Sequence, residues 1–505
     1  MATNVTTYGV VYGESENNTV AMQAALDAGV ALEISGYCNC TGNLHSDHAG
    51  TSIEGAGTLD CGVFTLYTMV SITGVTWKVD TTLIHATADL TDTLIQGITC
   101  APITSYTGIW TFQGGCTTTG MIIDGIVTTT APNGFIHGFS DGAEIVNCNI
   151  SDTVTASPLY SDTAKATIQL YGSNNHVHHN TVDCPYHPNS IKLQMVPAGL
   201  SGGRLHKISG NNIHHNTCTG NTEECIVYDG VGGYGSCGHV GYVTDITGSD
   251  VTLNIVYNQG NYPFTAYDET YIVVNNGTRA GKYFATASKA GSVVTLQASP
   301  GTDLQVGDFV SVMALFIDND INDNIVTKTA TSGTPITLAW GAIGNRVKRN
   351  NVSVNNGSYA VPFGEILRTG IDDGSLVYLV GDFSVGNYCL NAFNDISDNT
   401  IDAETAVWCR TTVNFDGDEL DYDNSALTTQ EHMSGVNPIL TGNTATQLTA
   451  PARVLFQDQK DVYLSGNVFP AIEDNGNVTY QEIPPSITLG SGGTITLGTG
   501  GSATL

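Results

Sequence analysis

Basic residues are the scarcest feature of this 505-residue chain: 16 Lys and Arg stand against 47 Asp and Glu, for a net charge of −31. Lys78 is the only one before Lys165, and none follows Lys460. Nucleic acid needs a positive footprint, so no nucleic-acid partner is expected. An anionic bilayer would repel the same surface. No run approaches the ~20 apolar residues that span a hydrocarbon core, so membrane insertion is not expected either. The opening Met1-Ala2-Thr3-Asn4-Val5-Thr6-Thr7 holds neither a basic nor an apolar stretch, and no secretory signal is expected there. The 12 cysteines lack the density of a disulfide framework, and several fall in strand-like runs such as 144–150. They read as buried thiols acting as small hydrophobes, in a chain folded in a reducing cytoplasm. Their spacings match no zinc signature, and no metal site is expected. Phosphate loops, nucleophile elbows and metalloprotease helices are missing too. Charged residues make up only 12%, too few for long solvated helices, whereas 58 Gly with frequent Asn, Thr, Ser and Val favour short strands and tight turns.

What is present is a repeat. Asn175-His176-Val177-His178-His179-Asn180-Thr181-Val182 is echoed by Asn212-Ile213-His214-His215-Asn216-Thr217-Cys218, then at 320–326, 346–352 and 395–401, and weakly at 464–469. The unit is apolar-x-x-Asn-x-apolar. Strand alternation turns both apolar residues inward, and Asn at the bend tolerates left-handed geometry. With rungs ~4.8 Å apart, successive Asn amides can hydrogen-bond as a ladder. Each such unit covers the apolar face of the next, which is the logic of a solenoid. The expected fold is all-β, a right-handed parallel β-helix. The 108 residues from Asn216 to Asn324 are too many for one rung. Strand-like runs at 242–247, 251–256, 282–286, 293–296 and 306–312, joined by Gly-Ser turns, predict a small antiparallel β domain inserted there. The organisation is then a capping helix with first rungs (1–60), a first β-helix part (61–229), the insertion (230–315), a second β-helix part (316–480) and a Gly/Thr-rich tail (481–505). In the tail Ile487-Thr488-Leu489-Gly490 returns eight residues later as Ile495-Thr496-Leu497-Gly498. Such strands cannot bury themselves, so they are expected to pair between subunits of a homotrimer.

The first rungs carry a resemblance. Asn17-Asn18-Thr19 precedes Val20-Ala21-Met22-Gln23-Ala24-Ala25-Leu26-Asp27-Ala28-Gly29, a helix with Asn18 as its cap and Gly29 as its stop. A strand at 30–34 and then Ile53-Glu54-Gly55-Ala56-Gly57 follow. This order resembles the opening of the pectate-lyase-like β-helix proteins, which include bacteriophage tailspikes with depolymerase activity and many polysaccharide lyases. Asn17-Asn18-Thr19 stands where that family has Asp-Asp-Thr, and Ser35-Gly36 replaces its Pro-Gly turn. The resemblance reaches to about residue 60 and specifies an architecture, not a reaction. It implies a tailspike-like virion protein, made in the host cytoplasm and carried on a phage tail with other tail proteins. Such a protein binds host cell-surface polysaccharide, with degradation left open. A free polysaccharide lyase or glycoside hydrolase is one alternative, and a non-enzymatic fibre or adhesin another.

Aligning the repeats on Asn180 and Asn216 places Lys192 near Val227 and Gln194 near Asp229. Glu223, Glu224, Asp229 and Lys192 then become candidates for catalysis, with His187 and Tyr228 binding substrate at the root of the insertion. Clefts beside a second domain are where ligand sites form. Hydrolysis would use Glu224 and Asp229 as carboxylates ~5–9.5 Å apart. Elimination from a uronate would use Lys192 or His187 as base, with a cation on the carboxylate. No cofactor is expected, although Glu223 and Glu224 could hold Ca²⁺. A second patch joins Glu365 and Arg368 to Trp408 and Arg410 one rung later, a set that suits sugar rings and their hydroxyls. The plainer reading makes all of these solvated turn residues and rung salt bridges. His178 with His214, and His179 with His215, should stack between rungs. Without an acidic or thiol partner at a known spacing, they read as outward polar ladders rather than a metal centre.

Overall fold

The computed structural model describes the chain from Ala2 to Thr496 apart from short stretches, the longest being 101–110, 153–165, 196–207, 259–269, 355–368 and 420–434. It divides into two units: Met1–Lys192 with Leu200–Gly202 and Asn211–Cys225, and Leu193–Gly199 with Gly203–Gly210 and Ile226–Leu505.

In the first unit, short strands stack in parallel as three columns. The first column runs Leu94–Gln96, Ile122–Asp124, Glu144–Val146, His176–His178, Asn212–His214. The second runs Thr99–Cys100, Val127–Thr128, Asn149–Ser151, Thr181–Cys184, Thr217–Gly220. The third includes Ile136–Asp141, Ile168–Tyr171 and the start, Ile191 and Lys192, of the strand Ile191–Gln194. One rung visits all three columns, so the chain coils as a right-handed parallel β-helix. Ile95, Ile123, Ile145, Val177 and Ile213 fill one inner column and are fully buried. The helix Thr19–Asp27 buries Met22, Ala25 and Leu26. Asn17, not Asn18, supplies its capping oxygen, accepting from the Thr19 N–H at 3.1 Å. Asn18 is drawn away because its amide bonds both the N–H and the carbonyl of Val11.

The ladder has the expected partners but a different backbone. Asn180 Nδ2 donates to Asn216 Oδ1 at 2.9 Å, and both residues are buried. The left-handed φ belongs to the residue before each Asn: His179 and His215 here, Asp323, Arg349 and Asp398 in the second unit. The division follows from burial, since the ladder Asn must face inward while its exposed neighbour takes the bend. A further ladder runs beside it, from Asn175 Nδ2 to Asn211 Oδ1 at 2.9 Å.

The second unit repeats the scheme. Its first column is Asp320–Asn322, Arg346–Lys348, Asp395–Ser397, Ile439–Thr441, Tyr463–Ser465. Its ladder links Asn324, Asn350, Asn399, Asn443 and Asn467, with each Nδ2···Oδ1 distance between 2.9 and 3.0 Å. Six antiparallel strands between Cys237 and Met313 close into a small barrel around Val243, Val251, Ile272, Val294 and Val310. The tail departs from expectation where it is described. Thr488–Leu489 pairs with Val468–Phe469, and Ile495–Thr496 with Ile472–Asp474, so these segments extend columns of their own chain. Every cysteine whose side chain is described is a buried free thiol. Burial pushes Cys148, for one, up to about 12, which removes it from nucleophilic chemistry. Among the described residues no helix is long and apolar enough to cross a membrane.

Candidate functional site

The third column of the first unit repeats Ile-x-Leu-x with little variation. Ile168 and Leu170, then Ile191 and Leu193, are fully buried in the β-helix core. Alternation therefore turns Gln169, Tyr171, Lys192 and Gln194 outward. His137 and Phe139 join them, because His137 pairs with Gln169 and Phe139 with Tyr171 in register. The Ile168 N–H donates to the Ser190 carbonyl, which sets Gln169 beside Lys192 in the next rung. His137, Gln169 and Lys192 thus occupy one outward row on three successive strands.

Tyr171 is the centre of this group. Its Oη receives Gln169 Nε2 at 2.5 Å and lies 2.6 Å from His137 Nε2. The Gln169 amide is itself oriented, since its Oε1 accepts from the Ala166 N–H at 3.1 Å. With an amide donor on the oxygen, Oη either donates to or accepts from His137 Nε2, according to the imidazole tautomer. Phe139 stacks on the Tyr171 ring with centroids 4.7 Å apart. Lys192 is 1% exposed and Gln169 2%, although both point away from the helix core, while His137 is half-buried and meets solvent. A proton can move between Oη and Nε2 here, with Lys192 in the neighbouring outward row.

Of the residues expected from the sequence, Lys192 belongs to this group. His187 does not face a ligand. It is fully buried, its Nδ1 2.6 Å from Thr167 Oγ1 and its Nε2 donating to the Ala131 carbonyl at 3.1 Å. Tyr228 is likewise a correction: it takes the Leu place of the repeat, faces inward at 0% exposure and stacks on Phe316. Glu224 is half-buried and accepts from Asn189 Nδ2 at 3.0 Å, which ties down its turn. Asp229 lies in the second unit beside Gln194, as the Met195 N–H bond to the Asp229 carbonyl requires. Glu223, Glu365 and Arg368 lie outside the described residues. Trp408 pairs in register with Asp372, both nearly buried; Arg410 stands on the same strand, its side chain outside the described set. His137, Gln169 and Tyr171 escaped the sequence reading, yet Ile136-His137-Gly138-Phe139, Ile168-Gln169-Leu170-Tyr171 and Ile191-Lys192-Leu193-Gln194 share one phase that would have grouped them.

Burial drives the His187 imidazole down to about 4, and the Asp152 carboxylate 3.7 Å away offsets only part of that. Folded, the ring stays neutral to about pH 4, whereas unfolded it takes a proton below about 6.5. The unfolded chain therefore binds the extra proton between these values. His187 leaves stability intact above pH 6.5 and lowers it by roughly 3 kcal/mol as pH falls to 4. Urea unfolding at pH 7 and pH 4.5 should show a smaller loss in His187→Gln than in the parent. An equal loss in both would assign the pH dependence to other groups.

No protein-family model and no curated protein matches the chain. Among solved structures it is similar to the A-module of a mannuronan C-5 epimerase from Azotobacter vinelandii, with 9% identity, 99% of each chain covered and a TM-score of 0.39. A tailspike protein of E. coli bacteriophage HK620 in complex with a pentasaccharide is 9% identical over 99% of this chain and 78% of that one, with a TM-score of 0.43. A PL6 alginate lyase in complex with a trisaccharide is 8% identical over 93% of this chain and 85% of that one, with a TM-score of 0.41.

Proposed function

We propose that this chain is a tailspike-like virion protein that binds a uronate-containing cell-surface polysaccharide and cleaves it by β-elimination. One observation carries the reading: Tyr171 Oη is held between an oriented amide and His137, with Lys192 in the adjoining row. Lys192 would neutralise the uronate carboxylate and so acidify the carbon beside it. The Tyr171 oxygen, its proton passed to His137, would remove the C5 proton. The electron pair then forms the C4–C5 double bond as the C4–O bond breaks, and the departing oxygen takes a proton from His137. Hydrolysis would need two facing carboxylates, and among the described residues this group holds none. Repulsion between a polyuronate and a chain of charge −31 is screened beyond ~8 Å at physiological salt, so the contact itself decides. A surface with a fixed repeat also suits a polymer with a fixed repeat. The working form is proposed as a homotrimer, a state that light scattering reads directly.

Incubation with a panel of acidic and neutral surface polysaccharides, followed by size-exclusion chromatography, tests the reading. Shortening of at least one uronate-containing glycan and of no neutral one is expected. Binding and cleavage restricted to neutral glycans would overturn it.

A further inference from the structure

A separate cluster lies in the first unit where the first column bends into the second. His178 and His214 pair in register on successive rungs, each followed by a second histidine in the left-handed bend. The His178 and His214 rings stack 4.7 Å apart at 4°, and those of His179 and His215 5.0 Å apart at 8°. Within each pair the two Nδ1 atoms face one another, at 2.8 Å for His178 and His179 and at 3.0 Å for His214 and His215. The acidic partner that linear spacing did not offer is Glu144, 34 residues earlier, whose Oε1 lies 2.9 Å from His178 Nε2. A carboxylate only accepts, so Nε2 carries the proton and Nδ1 presents a lone pair. This is how a carboxylate orients a metal-ligating histidine. The bend itself does not call for histidine, since one rung earlier Val146 and Asn147 fill the same two positions, Asn147 with the same positive φ.

We infer that His178, His179 and His214 form a site for a divalent transition-metal ion of the Zn²⁺ type, with Glu144 as the outer carboxylate that sets His178. One ring nitrogen from each of these three lies within 4.8 Å of the others. Metal–nitrogen bonds of about 2.0–2.1 Å in tetrahedral geometry would set the ligand nitrogens about 3.3 Å apart, so the facing Nδ1 atoms of His178 and His179 must part and the stacked His178 and His214 rings must turn toward a common point. An all-imidazole set favours zinc, copper or nickel over Ca²⁺ and Mg²⁺. The ion would pin two rungs together through side chains alone, apart from the Tyr171 group.

Tag-free protein stripped with a chelator and titrated with Zn²⁺ alone in a calorimeter tests this. One ion per chain is expected, with a rise in Tm that Ca²⁺ does not reproduce. Glu144→Gln should weaken zinc about 10–100-fold, as loss of an orienting carboxylate does. His179→Asn and His214→Val install the residue types that Asn147 and Val146 hold at the same two positions one and two rungs earlier, so the metal-free Tm should hold while stoichiometric zinc binding is lost. Zinc bound equally by these variants and the parent, or not bound by the parent, would overturn the assignment.

Discussion

Asn399→Ala should lower the stability of the second unit by about 3–5 kcal/mol, seen as a shift of its denaturant midpoint. Asn399 Nδ2 donates to the Val347 carbonyl at 2.8 Å and to Asn443 Oδ1 at 2.9 Å. Its Oδ1 accepts from the Asn350 N–H at 2.9 Å and from Asn350 Nδ2 at 3.0 Å. Alanine removes all four bonds and leaves the Asn350 N–H and the Val347 carbonyl of the preceding rung unpaired, each costing ~1–3 kcal/mol where water cannot replace the partner, while Asn443 Oδ1 keeps the Asn399 backbone N–H at 3.1 Å. Asn350 Nδ2 keeps its bond to the Ile321 carbonyl, which limits the total. By contrast Asp398, in the exposed left-handed position beside it, should tolerate Asn or Gly with little change. A loss under about 1 kcal/mol for Asn399→Ala would show that the ladder amides are open to solvent.

On a glycan that the protein cleaves, Tyr171→Phe should reduce kcat by ~10²–10⁴, the loss typical of removing a positioned proton-transfer group, while Tm falls only by what the lost Gln169 Nε2 bond contributes. Packing gives no reason for a fold defect, because Phe139 already occupies the paired position one rung before and stacks on this ring. His137→Gln should act on the same step, while Lys192→Met should also raise KM by removing the charge that meets the uronate. Steady-state kinetics on all three separates the roles. Full activity in Tyr171→Phe would move the chemistry elsewhere, with the Asp372 and Trp408 pair of the second unit as the place to look.

The fold was legible because its inner residues answer to one another at fixed spacing. Val177, Asn180 and Val182 recur as Ile213, Asn216 and Cys218, and every one is buried. The same regularity brought Gln194 beside Asp229. Outward residues answer to no such rule. His187 and Tyr228 looked like surface chemistry because they are polar and near a loop, yet one seals a polar pocket and the other takes a Leu place in the core. His137 and Tyr171 carried no periodic signal of their own; only the Ile-x-Leu phase of their strands sorts them onto one face. Glu144 shows the same limit, since a partner one rung away is distant in sequence. The tail segments Thr488–Leu489 and Ile495–Thr496 were read as needing another subunit because their own last rungs were not recognised as open edges.

The products of one digest decide whether elimination takes place at Tyr171. For a cleaved acidic glycan, ultraviolet absorbance counts conjugated unsaturated uronates, and a reducing-sugar assay on the same sample counts new chain ends. Elimination at this group predicts one unsaturated uronate for every new reducing end, both falling together in Tyr171→Phe. New reducing ends without unsaturation would mean hydrolysis and contradict the account.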